Sequence, residues 1–495
     1  MSSPTVLQPG SKRQDAVPAL PQALEQSIDR QLEASPPSLA GLRLAAAQAL
    51  RRLGLPHTRS EDYSFLRVGE FLPHLGAPAT ESRPAAANLP SPEAIAAFIL
   101  PEARDNVVVL VDGAFIPALS RVGADFSVSP YADSAPPDSP LPGMHLRFQG
   151  IHAAFQNRVE SMLEEETDAP AALAALFAAQ PLLMRVPAKR VAESPLQILH
   201  LTTGAPRSDA FILVHAGERS ESRILVRHAR LGEAAADAEA HRAGGPQAAP
   251  AAPAIGMENV HTLAWVEDGA SLKFLEQGVD PAAGGRDLHL RKFTARLERD
   301  ARLLAVSAHT GSRLTRAAFG IDLAGEGADA ELNGATVLAG ARQGHNHVVL
   351  RHLAPHGTSR QNFKTVVADQ SRASVDGMIW VALDAQQTNA AQLINNLMLS
   401  DEARADCKPR LMIHADDVKC SHGATSGKLD PAQGFYLESR GLPPAQARAL
   451  LTVAFVAEAI AKAGRPGEAF RDGLDHALLD ALRERMPAAA SSVAP

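Results

Sequence analysis

The chain has 495 residues, 45% of them hydrophobic and 21% charged, so it carries ample material for a core and is neither disordered nor collagenous. Forty-eight basic residues against 55 acidic ones give a formal net charge of -7, which argues against a dedicated nucleic-acid binder. Two cysteines exclude a disulfide framework and point to a reducing compartment, the cytoplasm.

Met1 is followed by Ser2, Ser3 and Pro4, with no basic segment leading into an apolar one, so no targeting signal is expected. No run reaches about 18 apolar residues, so no membrane span is expected either. Residues 1–15, rich in Ser, Pro and basic side chains, read as a loose tail. Residues 16–190 read as a mainly helical N-terminal region. Leu20, Leu24 and Ile28 recur at four-residue spacing, and Leu42, Leu44, Ala47, Leu50 and Leu53 continue the pattern up to Gly54. Asn106 to Val111 is a β-branched run that ends in the turn pair Asp112-Gly113. Gln149 to Leu183 is rich in Ala and Leu and reads as helix.

After Pro187 the period changes. Short alternating runs appear at Leu196 to Leu201, Phe211 to Val214, Ser222 to Val226 and Ser271 to Leu275. A unit of alanine after a polar turn, with an apolar residue two further on, recurs at Ala270/Leu272, Ala301/Leu303 and Ala373/Val375, and in a stretched form at Ala328/Leu332. Rungs that cannot bury a face alone must stack, so residues 191–429 read as a β-solenoid. Residues 232–254, rich in Ala, Gly and Pro, read as a flexible loop within it. Residues 430–486 read as three short helices. Asp430 and Pro431 open the first, and Gln433 is placed to close a capping box. Pro443-Pro444 opens the second, with Ala447, Leu450, Leu451, Ala454 and Phe455 on one face. Glu468 to Met486 forms the third, and residues 487–495 are a tail.

Several catalytic signatures nearly form and fail. Gly423 to Leu429 resembles a phosphate-binding loop but is one residue short, with Leu429 where a hydroxyl should hold Mg²⁺. Gly325 to Ala330 mimics a dinucleotide fingerprint inside the β-repeat and reads as a turn. His345 and His347 share one face of a strand, as two metal ligands would, but no carboxylate or third histidine sits at a reinforcing spacing, so a solvated solenoid face is the better reading of them and of the nearby His352 and His356.

The sharpest candidate is the run Ala415 to Thr425. If Val418 to His422 is a strand, Cys420 and His422 lie on one face about 7 Å apart, and Asp416 joins them there. Thiolate selects Zn, Cu(I) and Fe–S species. Two ligands make half a site, and a partner would supply the rest. The alternative is a packed Cys420 and a surface His422 at a solenoid end.

Asn395 to Ser400, Ala415 to Thr425 and Phe435 to Gly441 together resemble the SufD members of the SufB/SufD family, iron–sulfur cluster assembly scaffolds of the SUF system. Arg59 to Phe65 resembles the family's Arg-x-Glu-Asp-aromatic segment, and Ala385 to Thr388 its Ala-Gln-x-Thr stretch. The resemblance implies a mainly β fold, a right-handed parallel β-helix core flanked by helical N-terminal and C-terminal regions. It implies a non-enzymatic scaffold that binds no nucleotide, in complex with a SufB-like paralogue and two copies of the SufC ATPase, one of them docking on the C-terminal helices. A nascent Fe–S cluster would form transiently where the two β-helices meet. His422 matches the family histidine at that interface, a cluster or iron ligand, and Cys420 matches the neighbouring cysteine. Cys407 stands where the family commonly has threonine and receives no role. Two other readings stay open: a β-solenoid enzyme acting on carbohydrate, and a stand-alone metal-binding protein using His345, His347 and His422. Pairing of the isolated chain with itself also stays open.

Overall fold

Alternating apolar and polar residues build two long, mostly parallel sheets that face each other. From Leu182–Val186 onward successive strands switch sheets, and each pairs with the strand two along. Asp329 sits against Thr358, Thr358 against Asn389 and Thr388 against Val418, so one turn takes about 30 residues. The result is a β-solenoid of about seven turns with helices at both ends of the chain. The computed structural model describes residues 19–57, 59–76, 89–131, 144–203, 205–231, 256–278, 287–464, 468 and 470–473, with backbone alone for 144–152. The expected tails 1–15 and 487–495, the loop 232–254 and the third C-terminal helix beyond residue 473 lie outside the described residues.

The alanine unit marks a corner of the solenoid. Arg302 N donates to Ala270 O at 2.8 Å, Asp329 N to Ala301 O at 2.9 Å and Thr358 N to Ala328 O at 2.9 Å, so the three fully buried alanines stack. The stretched reading is corrected by the register. Leu303 pairs with Ala330, and Leu332 pairs with Ala305 in the next column. Ala373/Val375 belongs to the opposite sheet.

Inward side chains such as Phe274, Phe293, Phe319, Leu332 and Phe363 fill the space between the sheets. Helices cover the outer faces. Leu24, Leu42, Leu50, Leu163 and Leu173 pack on Leu183, Leu213, Leu263 and Leu290 of one sheet. Val456, Ala459 and Ile460 pack on Leu225, Leu275, Val306 and Val337 of the other. Gly54 ends the second helix, Pro37–Leu53, at φ 67°.

Two local expectations are corrected. The span from Gln149 to Leu183 is not helical throughout: helices Met144–Glu164 and Ala169–Phe177 are followed by strand Leu182–Val186, because Pro181 stops the helical run and Leu182 pairs with Ile212. Both sheets therefore take in strands from before residue 191, Val107–Val111 among them. Helix Pro444–Ile460 buries Ala447, Thr452, Val456, Ala459 and Ile460, whereas Leu450 and Ala454 are exposed. Its inner face is rotated from the predicted stripe because its C-terminal half makes the contact with the sheet. Among the described residues no helix is long and apolar enough to cross a membrane.

Candidate functional site at the open end of the solenoid

The solenoid ends on two edge strands. Among the described residues Val418–Gly427 pairs only with Thr388–Met398, and Arg404–Ile413 closes the facing sheet on Arg372–Val381. Cys420 and His422 share the inward face of the first edge strand, as their spacing predicts. Cys420 is half-buried over Ala390 and packs on the cluster that holds Ile379 and Val381, as Leu411 and Val418 also do. Burial pushes its thiol pKa up, against a hydrogen bond with the Ala390 backbone. His422 is exposed. Asp416 does not join them: it lies exposed in the bend before the strand begins at Val418.

The column beneath His422 changes from apolar to polar as it rises. Leu332, Gln361, Gln392 and His422 occupy successive turns. Gln392 Nε2 donates to Gln361 Oε1 at 2.8 Å. Gly377 leaves room for that amide, since a Cβ there would meet Gln392 Nε2 at 1.9 Å. Among the described residues Gln392 Oε1 has no hydrogen-bond partner, and it is buried.

Sequence reasoning gave Cys407 no role, yet it belongs to the same end. It lies on the inward face of the second edge strand, and Asn396 Nδ2 donates to its Sγ at 2.9 Å and to Ser426 Oγ at 3.2 Å. Asn395 Nδ2 holds Thr425 Oγ1 at 2.7 Å. The Asn395-Asn396 pair thus braces the last strand from below. The signal for Cys407 was the alternation Ala405, Cys407, Pro409, Leu411, which places all four on one face.

The Arg59 to Phe65 segment is a clamp rather than chemistry. Glu61 pairs with Lys408 at 2.8 Å and Arg410 at 3.3 Å on the second edge strand. The hydrogen bond from Lys408 holds the Glu61 carboxyl below its usual range. Tyr63 is buried, hydrogen-bonded to Asp168, and the Arg316 guanidinium lies 4.5 Å from its ring centroid.

The other histidines do not gather at this end. His345 and His347 share a face, but that face is not solvated, because the N-terminal region covers it and both are buried. His345 Nδ1 lies 2.8 Å from Ser374 Oγ, and burial pulls its pKa down to about 3. His347 sits between Asp62 and Asp376. His352 is buried and bonded to Ser359, while His356 is exposed in a turn. Among the described residues two groups of three can hold a metal ion, Asp62/His347/Asp376 and His200/His228/Glu258, and neither contains His422, Cys420 or His345. The near-match to a phosphate loop lies on the final strand, and Gly325 to Ala330 spans a turn and the start of a strand.

Comparison with known proteins places the chain among iron–sulfur cluster assembly proteins. Residues 233–455 match the family described as "SUF system FeS cluster assembly, SufBD core domain". An iron–sulfur cluster assembly SufBD family protein of Synechocystis is 28% identical over 428 residues, covering 85% of this chain and 86% of that protein. The iron–sulfur cluster assembly protein SufD of Escherichia coli is 31% identical over 306 residues, covering 59% of this chain and 70% of its own. The chloroplastic protein ABCI7 of Arabidopsis thaliana is 45% identical over 119 residues, covering 24% of this chain and 25% of that one.

Proposed function

Because the chain belongs to the SufB/SufD family of iron–sulfur cluster assembly proteins, we propose that it is a scaffold subunit whose open solenoid end receives a nascent cluster against a SufB-like paralogue. The observation that carries this reading is the terminal turn itself. Two edge strands end together, and a thiol and an imidazole share the inward face of one of them. An unpaired sheet edge is a template for another strand, so the end suits docking of a second β-helix. The cluster is cargo here. His422, exposed at the top of a polar column, is its ligand from this chain. Cys420 is a second donor once its proton is lost, and the paralogue completes the coordination. Without the paralogue, two copies of this chain pair through the same edges.

The chain is not an enzyme in this reading and binds no nucleotide. Energy comes from a SufC-like ATPase docked on the C-terminal helices, and the whole complex works in the cytoplasm. Helix Pro431–Ser439 buries none of its residues, and its Phe435 and Tyr436 are 73% and 57% exposed. Large exposed aromatics of this kind mark an interaction surface.

The test is co-purification. The tagged chain is expressed with a SufB-like protein and a SufC-like ATPase under anaerobic conditions, in its native form and as His422→Ala. The expected result is the same partners with both forms and Fe–S absorbance with the native form alone. A chain that elutes without partners overturns the scaffold reading. Equal absorbance from both forms overturns the role of His422.

A further inference from the structure

A second cluster of ligand-type side chains lies inside the first turns of the solenoid, remote from the terminal turn. His200 and His228 are neighbours on adjacent turns of one sheet, and Glu258 and His289 are neighbours on adjacent turns of the facing sheet. Glu258 Oε1 accepts from His200 Nδ1 at 2.5 Å and from His228 Nδ1, and Glu258 Oε2 lies 2.5 Å from His289 Nδ1. His200, His228 and Glu258 are each at most 3% exposed. A cavity lies against them, lined by His228, Glu258, His289, Arg291, Asp287 and Thr315 among others.

We propose that His200, His228 and Glu258 form a binding site for one divalent first-row transition-metal ion, iron(II) or zinc(II). Two imidazoles and a carboxylate with their ligand atoms within 4.8 Å of one another are the donor set such ions take. The wider surroundings agree. Glu276 Oε1 lies 3.1 Å from His228 Nε2, the nitrogen that faces away from Glu258. A carboxylate on the far nitrogen is what orients a metal-ligating histidine and fixes its tautomer. Ser307 Oγ donates to Glu276 Oε2 at 3.2 Å and fixes that carboxylate in turn.

Ligand atoms bound to one ion at about 2.1 Å stand roughly 3 Å apart, so each imidazole needs to draw back from Glu258 Oε1 by less than about 1 Å.

The test uses the full chain stripped with a chelator and titrated anaerobically with cobalt(II), whose visible d–d bands report its ligands. One equivalent is expected, bound equally by native protein and His422→Ala, so the result is independent of the assembly reading. Glu258→Gln is expected to weaken binding at least tenfold. Glu276→Gln, which leaves the three ligands in place, is expected to weaken it about 10- to 100-fold. It carries the test if circular dichroism shows Glu258→Gln unfolded. Competition with iron(II) and zinc(II) then ranks the two ions. No cobalt bands in the native chain, or bands unchanged in both glutamate variants, overturns the proposal and leaves a proton-holding network.

Discussion

Gln392 lies one turn directly beneath His422, in the same inward column of the solenoid. The two side chains differ in what surrounds them. Gln392 is 3% exposed and donates to Gln361, whereas His422 is exposed above it. The imidazole can therefore be removed without disturbing the fold. His422→Ala is expected to change unfolding free energy by less than about 0.5 kcal/mol. Gln392→Leu leaves the Gln361 carbonyl oxygen buried without its donor, at a cost of about 1–3 kcal/mol. Urea unfolding of the two variants measures both, and a larger loss at His422 would show that it carries the end of the fold.

The thiol of Cys420 is predicted to be slow to react. Burial raises its pKa, so the thiolate is scarce at neutral pH. In a Cys407→Ser background, its alkylation rate by iodoacetamide should rise about tenfold per pH unit from pH 7 to 8. Mass spectrometry follows the label. A fast, pH-independent reaction would mean that an electropositive neighbour already ionises the thiol.

The strand positions of Cys420 and His422 were legible because period-two alternation is local. Stacking was legible from Ala270, Ala301 and Ala328, which share a corner. The spacing misled at Leu332, because Ala330 fills the column of Leu303 and a small alanine there is less conspicuous than the leucine two residues on. Asp416 was misplaced because the start of the edge strand depends on pairing with Thr388 one turn below. The buried cluster left no trace in the sequence. His200, His228, Glu258 and His289 come from four separate strands, and only the register brings them together.

Arg316 and Asp168 join the N-terminal helices to the solenoid. Arg316 Nη1 donates to Asp168 Oδ2 at 2.6 Å, and both are buried. Burial raises the Asp168 pKa, but Arg316 and Lys292 outweigh it and hold the carboxyl far below its usual range. Breaking a buried pair leaves one charge uncompensated, so Arg316→Met is expected to cost about 3–5 kcal/mol. The Arg316→Met/Asp168→Leu double variant should recover part of that loss, since an apolar replacement of both partners removes the stranded charge. Thermal unfolding of the three proteins decides this, and a double variant no better than the single would rule out stranded charge as the cause.

Acid should destabilise this chain in two pH windows. Burial depresses His261, His309 and His352 to pKa values of about 4, and His345 to about 3. In the unfolded chain each titrates near 6.5. Above about pH 6.5 both states are neutral at these positions and the full stability is present. As pH falls toward 4, the unfolded chain takes up protons that the folded chain cannot, and stability is lost. Each group contributes on the order of 3 kcal/mol over that window. Together they rival the roughly 5–15 kcal/mol that holds a typical domain folded. His228 opposes them, because its raised pKa stabilises the fold on the acid side. Asp168 acts in a lower window: its depressed pKa gives stability above about 3.9 that is lost below it. Tm measured by circular dichroism should hold steady from pH 8 to 7 and then fall steeply from 6.5 to 4. His345→Asn should flatten that fall, and a variant as acid-sensitive as the native chain would show that His345 is already protonated in the fold.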